Sequence, residues 1–300
     1  MESDARDKWW IEIRNEIRSH MKSLNCHVVL GYTETKSICE DVCVLSASGT
    51  AAIIDESYFI SSNHENKCLD SESVNKTCKI CHIPYEEDDL PFPVALYDCN
   101  GCSNGQVPDV IFTTIQPLPE IEIIGHGCLL RAIVTRPRKK SSGEISAKII
   151  SDYLPFMEYE LHRQLLGKLK LKGMNMLYGL RIQLSIGENL LIGIAEATAC
   201  YAACLPIPMI PKIISEKGDK TKKELEEIDK LKKLIIEEVD RNKECFNLNT
   251  CTNNNSNNNE NKTNQSNTAT TANSNTESQE LFQTATSLIQ KLMMIIIVKC

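Results

Sequence analysis

The sequence predicts an α+β fold of two layers, built from two repeated β-α-β-β units. Three observations predict it. At a shift of 148 positions, residues 11–54 return as residues 159–202 without a gap: Gly31 falls on Gly179, Ser37-Ile38-Cys39-Glu40 on Ser185-Ile186-Gly187-Glu188, and Gly49-Thr50-Ala51 on Ala197-Thr198-Ala199. Chemically similar stretches held in one register mark an internal repeat. The early part of each copy has apolar residues at helical spacing, with Trp10, Ile13, Ile17, Met21 and Leu24 in the first and Leu161, Leu165, Leu169 and Leu171 in the second. That period implies one buried helix face. The later part of each copy changes to strand-like runs. Val28-Val29-Leu30 and Val42-Cys43-Val44-Leu45 flank a polar turn at 35–41, as Met176-Leu177-Tyr178 and residues 190–194 flank the turn at Gly187. Each copy therefore reads as a helix followed by a hairpin.

The first unit covers residues 1–54. Trp9 and Trp10 stand in the early turns of its helix. Successive helical positions point about 100° apart, so one ring is expected in the core and the other on a neighbouring segment. No strand candidate precedes this helix, and the unit is expected to lack its opening strand. Either another segment supplies that strand or the natural protein starts upstream; truncation is favoured, because a sheet short of a strand has an open edge.

Residues 55–118 form an insertion with no strong amphipathic pattern but with four spaced cysteines. Cys78-Lys79-Ile80-Cys81, then seventeen residues, then Cys99-Asn100-Gly101-Cys102, is the two-knuckle spacing in which each Cys-x-x-Cys turn offers two thiolates to one tetrahedral ion. Gly101 permits the tight turn, and Leu90, Phe92 and Val94 could supply a small packed patch. A closed four-thiolate shell suits zinc in a structural role, since it leaves no open coordination position. The bland alternative is four unrelated thiols or a regulatory disulfide. His82, His64 and Cys68 are nearby substitutes, each read first as ordinary surface.

The second unit covers 119–205 and opens on a strand candidate at 120–136, with Ile121, Ile123, Ile124, Cys128-Leu129-Leu130, Ile133 and Val134. Pro206, Pro208 and Pro211 end it, because proline cannot donate to a sheet ladder. Residues 212–245 carry a charged helix with Leu225, Ile228, Leu231, Ile235 and Val239 on one stripe, suited either to its own domain or to a partner helix. Residues 246–278 are rich in Asn, Thr and Ser and are expected to be disordered, having too little apolar surface to offset ordering. Residues 279–300 form a weakly amphipathic tail compatible with a helix, and its end at 293–298 is an aggregation hazard if exposed.

Composition narrows the function classes. A formal net charge of −7 argues against a nucleic-acid binder, and the basic runs at 136–140 and 217–223 read as solvated surface. The charged start at 1–8 has no apolar signal core behind it, and fourteen cysteines suit a reducing compartment if most are reduced or metal-bound, so a cytoplasmic address is expected. The longest apolar run near the end, 292–298, is far short of the roughly twenty residues that span a bilayer.

Catalytic candidates are weak. Glu86-Glu87-Asp88-Asp89 is one solvated run, whereas acid–base pairs need separated environments. Glu40 and Glu188 hold equivalent turn positions and could share a ligand, though turns favour polar residues anyway. His20, His126 and His162 have no nucleophile that the sequence places beside them, and His162 reads as a helix-surface residue. The expectation is no enzyme and no catalytic residue.

Longer motifs carry a resemblance. His27-Val28-Val29-Leu30-Gly31-Tyr32-Thr33-Glu34-Thr35, Cys78-Lys79-Ile80-Cys81-His82-Ile83-Pro84-Tyr85, Val107-Pro108-Asp109-Val110 and the stretch from Leu154-Pro155-Phe156-Met157 to Gly187-Glu188-Asn189 resemble the C2 domain-containing protein 5 family over about residues 1–210. Each repeat is also similar to the bacterial YbjQ-like domain, a small β-α-β-β unit. The resemblance implies calcium-dependent phospholipid binding, vesicle fusion and insulin-stimulated glucose-transporter trafficking to the plasma membrane, at vesicle membrane, cell cortex and plasma membrane as well as cytoplasm. It also implies that calcium and membrane contact belong to the family's C2 domain. No C2 β-sandwich with paired loop aspartates occurs within these 300 residues. That departure, the Asn-rich segment and the unusual C-terminus suggest a fragment or an incomplete gene product.

The expectation is a non-enzymatic scaffold that binds protein partners and self-associates through its YbjQ-like units, with structural zinc at Cys78, Cys81, Cys99 and Cys102. The alternative is a metal-handling or redox-sensing protein that uses the same four cysteines.

Overall fold

Helix α1 (Ser3–Ser23) buries Ile13 and Ile17 against Cys43, Leu45 and Ala47 of one strand, with Trp9, Trp10 and Val29 packed at the margin. Both tryptophans are half-buried at the edge of this one cluster. The computed structural model describes residues 3–40, 42–54, 81–86, 95–99, 105–139, 141, 143–211, 222–248 and 294–299. Asn25 ends the helix in the left-handed region at φ 54°, where the Cys26 amide donates to Met21 O and the Asn25 amide to Lys22 O. This pair of bonds satisfies carbonyls that the last turn would otherwise leave open.

Hairpin β1 (Val28–Cys39) and β2 (Val42–Ala52) follows. Arg14 on α1 grips Glu34 on β1 through two hydrogen bonds of 2.7 and 3.1 Å, and Tyr32 donates to the same carboxylate at 2.7 Å. Within the insertion lie β3 (Leu96–Asp98), β4 (Gln106–Pro108) and β5 (Ile111–Phe112), and the long β6 (Ile123–Pro137) follows it. Helix α2 (Gly143–Leu171) then leads into β7 (Met176–Ile186) and β8 (Leu190–Ala202). A third helix, α3 (Lys222–Cys245), and a last strand, β9 (Met294–Lys299), complete the described elements. The result is a mixed α+β fold.

Three sheets form among the described residues: β1-β2-β9, the small pair β3-β4, and β5-β7-β8-β6. In the four-stranded sheet β5 runs parallel to β7, while the other pairs are antiparallel. The two hairpins share one pattern of pairing. Val28 faces Ala52 as Met176 faces Cys200, and both ladders slip at the same place, between Leu30 and Thr33 and between Tyr178 and Arg181. Gly31 and Gly179 stand in those slips at φ 58° and 63°. The end of α2 repeats that of α1: Gly173 at φ 69° replaces Asn25, Met174 bonds to Leu169 O, and Gly173 to Lys170 O.

Ile150, Leu154, Met157, Leu161, Leu165 and Leu169 form one stripe of α2 over the four-stranded sheet. The inward residues of that sheet include Leu130, Ala132 and Val134 on β6 and Leu191, Ala195, Ala197 and Ala199 on β8. Small residues on β8 let the helix approach; a Cβ at Gly193 would meet Leu161 Cδ1 at 2.9 Å. Val42 and Val44 of β2 and Val110 join the same core, so the two larger sheets share one interior. Helix α2 begins well before the repeated stretch and carries Pro155 within it, because Ile150 and Leu154 extend the buried stripe backwards.

The seam between the sheets is polar. Thr114 donates its amide to Thr50 Oγ1 at 2.8 Å and its hydroxyl to Leu30 O at 3.2 Å. Ile186 N donates to Ser37 Oγ at 3.0 Å. The C-terminal end of α3 docks beside the end of α2, where Asn242 bonds Leu171 O and Lys172 Nζ. Val239 and Leu248 are buried nearby, whereas Leu225, Leu231 and Leu234 nearer the start of α3 are exposed. The expected disordered segment at 246–278 lies almost wholly outside the described residues, as do 212–221. Within the tail at 279–300 the structure forms a strand at 294–299 where the sequence suggested a helix; a run of three isoleucines and a valine prefers the pleated surface.

Candidate functional site

Strands β3 and β4 bring the two halves of the cysteine insertion together. Cys99 N donates to Gly105 O at 2.8 Å and Ile83 N to Gln106 O at 3.0 Å, so the segments carrying Cys81 and Cys99 both bond to the chain at the start of β4. Both are buried, in a cluster with Val107, Met176, Cys200, Ala202 and Leu205. His82 lies directly over Gly105, where a Cβ would meet the ring at 2.4 Å. The insertion is tied to the first helix by Asn25 Nδ2, which donates to Pro84 O at 3.2 Å.

Cys78 and Cys102, the outer pair of the expected metal shell, lie outside the described residues, as do Glu87, Asp88 and Asp89 of the acidic run. Cys81 forms a disulfide with Cys204, 123 positions away at the end of the second hairpin. Sequence spacing missed that partner, since Cys204 belongs to no Cys-x-x-Cys pair. No group of three or more His, Cys, Asp and Glu residues that could hold a metal forms among the described residues. Two of the four expected donors, Cys81 and Cys99, thus lie in one buried cluster, with Cys81 bonded to Cys204. Cys200, in the same cluster, is pushed up to about 12 by burial, which keeps it a neutral thiol.

The turns carrying Glu40 and Glu188 converge in part on Arg138. This guanidinium is fully buried, donating to Gly187 O at 3.0 Å and to Ser146 Oγ at 2.7 Å, with the Glu40 carboxylate 4.0 Å away. Glu40 adopts φ 53° at the tight turn. The arrangement fastens the two hairpin tips to the start of α2 through one cation.

Glu158 and His162 are the polar groups that the helical pattern did not single out. Both are buried on α2, one turn apart. Burial raises the Glu158 carboxyl well above the usual carboxylate range, so it is held neutral, and Oε1 has no hydrogen-bond partner among the described residues. His162 Nδ1 faces Glu158 O at 2.9 Å, its ring stacks on Phe112 at 6.1 Å, and burial lowers its pKa. The surface placement expected for His162 is corrected here. The helix is covered on a second side by the segment carrying β5, which a single apolar stripe does not announce. His126 remains exposed, and its backbone N–H bonds Phe246 O.

A family model described as "C2 domain-containing protein 5, YbjQ-like domain" matches residues 1–57 and 104–208. The chain belongs to this family. Both hairpins, α1, α2 and Cys204 fall inside the matched stretches, and all four knuckle cysteines fall between them. The chain is 47% identical over 251 residues to C2 domain-containing protein 5 of Homo sapiens and to that of Xenopus tropicalis, which covers 83% of this chain and 25% of each relative. Against the Mus musculus protein it is 46% identical over 250 residues, 82% of this chain and 24% of the relative. The chain thus spans about a quarter of the length of these relatives. No solved structure matches it. Among the described residues no helix is long and apolar enough to cross a membrane.

Proposed function

We propose that this chain is a non-enzymatic interaction body made of two YbjQ-like units, serving the membrane traffic in which C2 domain-containing protein 5 acts. The observation that carries this reading is the common register of the two hairpins, slip and left-handed glycine included. Conformational detail repeated at this level supports two copies of one folding unit, and the family match falls on both copies. The buried groups between them, Arg138 and the Thr50–Thr114 pair, hydrogen-bond the chain to itself and so serve assembly of the body. Calcium and phospholipid binding belong in this reading to a C2 domain, for which these residues supply no ligand; protein partners and self-association belong to the YbjQ-like body.

The insertion would be stabilised by zinc on Cys78, Cys81, Cys99 and Cys102. The ion would supply folding energy to a segment with little core of its own, and a closed thiolate shell leaves no position for substrate. A redox-sensing reading is favoured by a separate observation, the bond from Cys81 to Cys204. Cys81 cannot hold zinc as a thiolate and be oxidised to Cys204 at once, so the two readings describe different oxidation states of one pocket.

Trafficking is tested by producing residues 1–300 in an insulin-responsive cell, well above the level of the resident family protein. The expected result is competition for partners and less glucose transporter at the plasma membrane after insulin. Unchanged surface transporter would contradict the reading.

A further inference from the structure

Strand β2 is buried like a central strand. Val42, Cys43, Val44 and Leu45 are each at most 1% exposed and Ala47 is 2% exposed, although their side chains alternate between two faces. A strand covered on both faces reads as a continuous apolar run, and its backbone must be paired on both edges or leave buried N–H and C=O groups unmet. One edge of β2 is taken by β1 and the other by β9.

The register of β9 is informative. Val42 faces Lys299 and Ala47 faces Met294, while in the four-stranded sheet Leu190 faces Pro137 and Ala195 faces Ala132. Since Val42 corresponds to Leu190 and Ala47 to Ala195, Met294–Lys299 lies on β2 where Ala132–Pro137 of β6 lies on β8, antiparallel in both cases. Strand β9 runs beside both α1 and α2, and β6 beside α2. In the second hairpin's sheet this position is filled by the strand that precedes the helix; in the first it is filled from the far end of the chain.

We propose that Met294–Lys299 is a tethered donor strand, and that the outer edge of β2 is a strand-accepting site for an extended, β-branched apolar peptide running antiparallel to it. This rests on reading the two hairpins as copies of one unit. The site takes its ligand by main-chain hydrogen bonds, with register fixed by the apolar run on β2. The same edge left vacant would be a template for other chains.

The test uses the whole chain with a protease site inserted within residues 249–293. After cleavage, the C-terminal piece is expected to stay with the body through gel filtration at the mass of one chain, and to be displaced by an excess of labelled peptide spanning residues 291–300. Adjacent amides of a strand point to opposite edges, so the double variant Ile295→Pro, Ile296→Pro must remove a bond to β2. In that variant the cleaved piece should be released. Alternate amides of Val42–Ala47 should exchange hydrogen at least about tenfold faster, while those of Leu190–Ala202 keep their rates. Release of the unsubstituted piece on cleavage, or unchanged exchange in β2 of the double variant, would overturn the proposal. A cleaved complex at twice the expected mass would overturn its intrachain form.

Discussion

Gly31 and Thr114 approach so closely that a Cβ on the glycine would meet Thr114 Oγ1 at 2.6 Å. Its counterpart Gly179 has almost the same left-handed φ, but a Cβ there would find Gln116 Nε2 no nearer than 3.8 Å. The backbone strain of alanine, roughly 1 kcal/mol, applies to both, and the steric conflict applies to Gly31. Gly179→Ala is therefore expected to cost about 1 kcal/mol and Gly31→Ala about 2–3 kcal/mol in denaturant unfolding. Equal losses would mean that the seam yields freely at Thr114.

Asn175 holds the end of the second hairpin. Its fully buried side chain donates to Ala202 O and Pro206 O at 3.1 Å each and accepts from Ala202 N at 2.7 Å. Asn175→Ala strands these backbone groups and is expected to cost about 2–4 kcal/mol. Asn175→Asp should be at least as damaging, since a carboxylate cannot donate to two carbonyls. Thermal unfolding of both variants checks this, and a loss below about 1 kcal/mol would show that water replaces the amide.

The buried carboxyl of Glu158 gives stability a particular dependence on pH. Its folded pKa lies above the ordinary 4.5, so the folded chain keeps a proton that the unfolded chain has lost. Its contribution is therefore present at acid pH and is lost as pH rises above 4.5. His162 has the opposite sign: with its folded pKa below 6.5, its contribution is present above that value and lost as pH falls below it. Glu158→Gln removes the first effect and leaves the second. The stability of this variant relative to the parent should rise from about pH 5 to about pH 7, measured as midpoints of urea unfolding. A constant difference over that range would mean that the carboxyl ionises freely in the folded chain.

Local pattern revealed much of this fold. The stripe of α1 and both hairpins follow from residues near one another in sequence, although β1 runs on to Cys39 through positions read as a turn at 35–41. Gly31 and Gly179, which the repeat aligns, both stand in the left-handed region. The pairing of Cys81 with Cys204, the capture of two hairpin tips by Arg138 and the burial of His162 under Phe112 depend on chain segments brought together only by the tertiary fold. Periodicity carries no information about such meetings. The strand at 294–299 shows the same division: its isoleucines indicate strand chemistry, but its partner lies near the other end of the sequence.

The disulfide makes a separate, conditional prediction. Without reductant, Cys204→Ser removes a link closing a long loop and should lower stability by about 2–4 kcal/mol. With reductant the parent loses that link too, and the two chains should unfold alike. A loss of the same size under both conditions would assign Cys204 a role other than disulfide bonding.

The most direct measurement is the zinc content of the whole chain and of Cys99→Ser, both purified under reducing conditions, followed by limited proteolysis. About one zinc per parent chain, retained through mild chelation, is expected. Cys99→Ser should lose it and open the insertion at 55–118 to protease while 119–205 stays protected. A well-folded parent without metal, or metal that exchanges while the insertion keeps its protection, would contradict a structural thiolate site in the insertion and, with it, the proposed account of this segment.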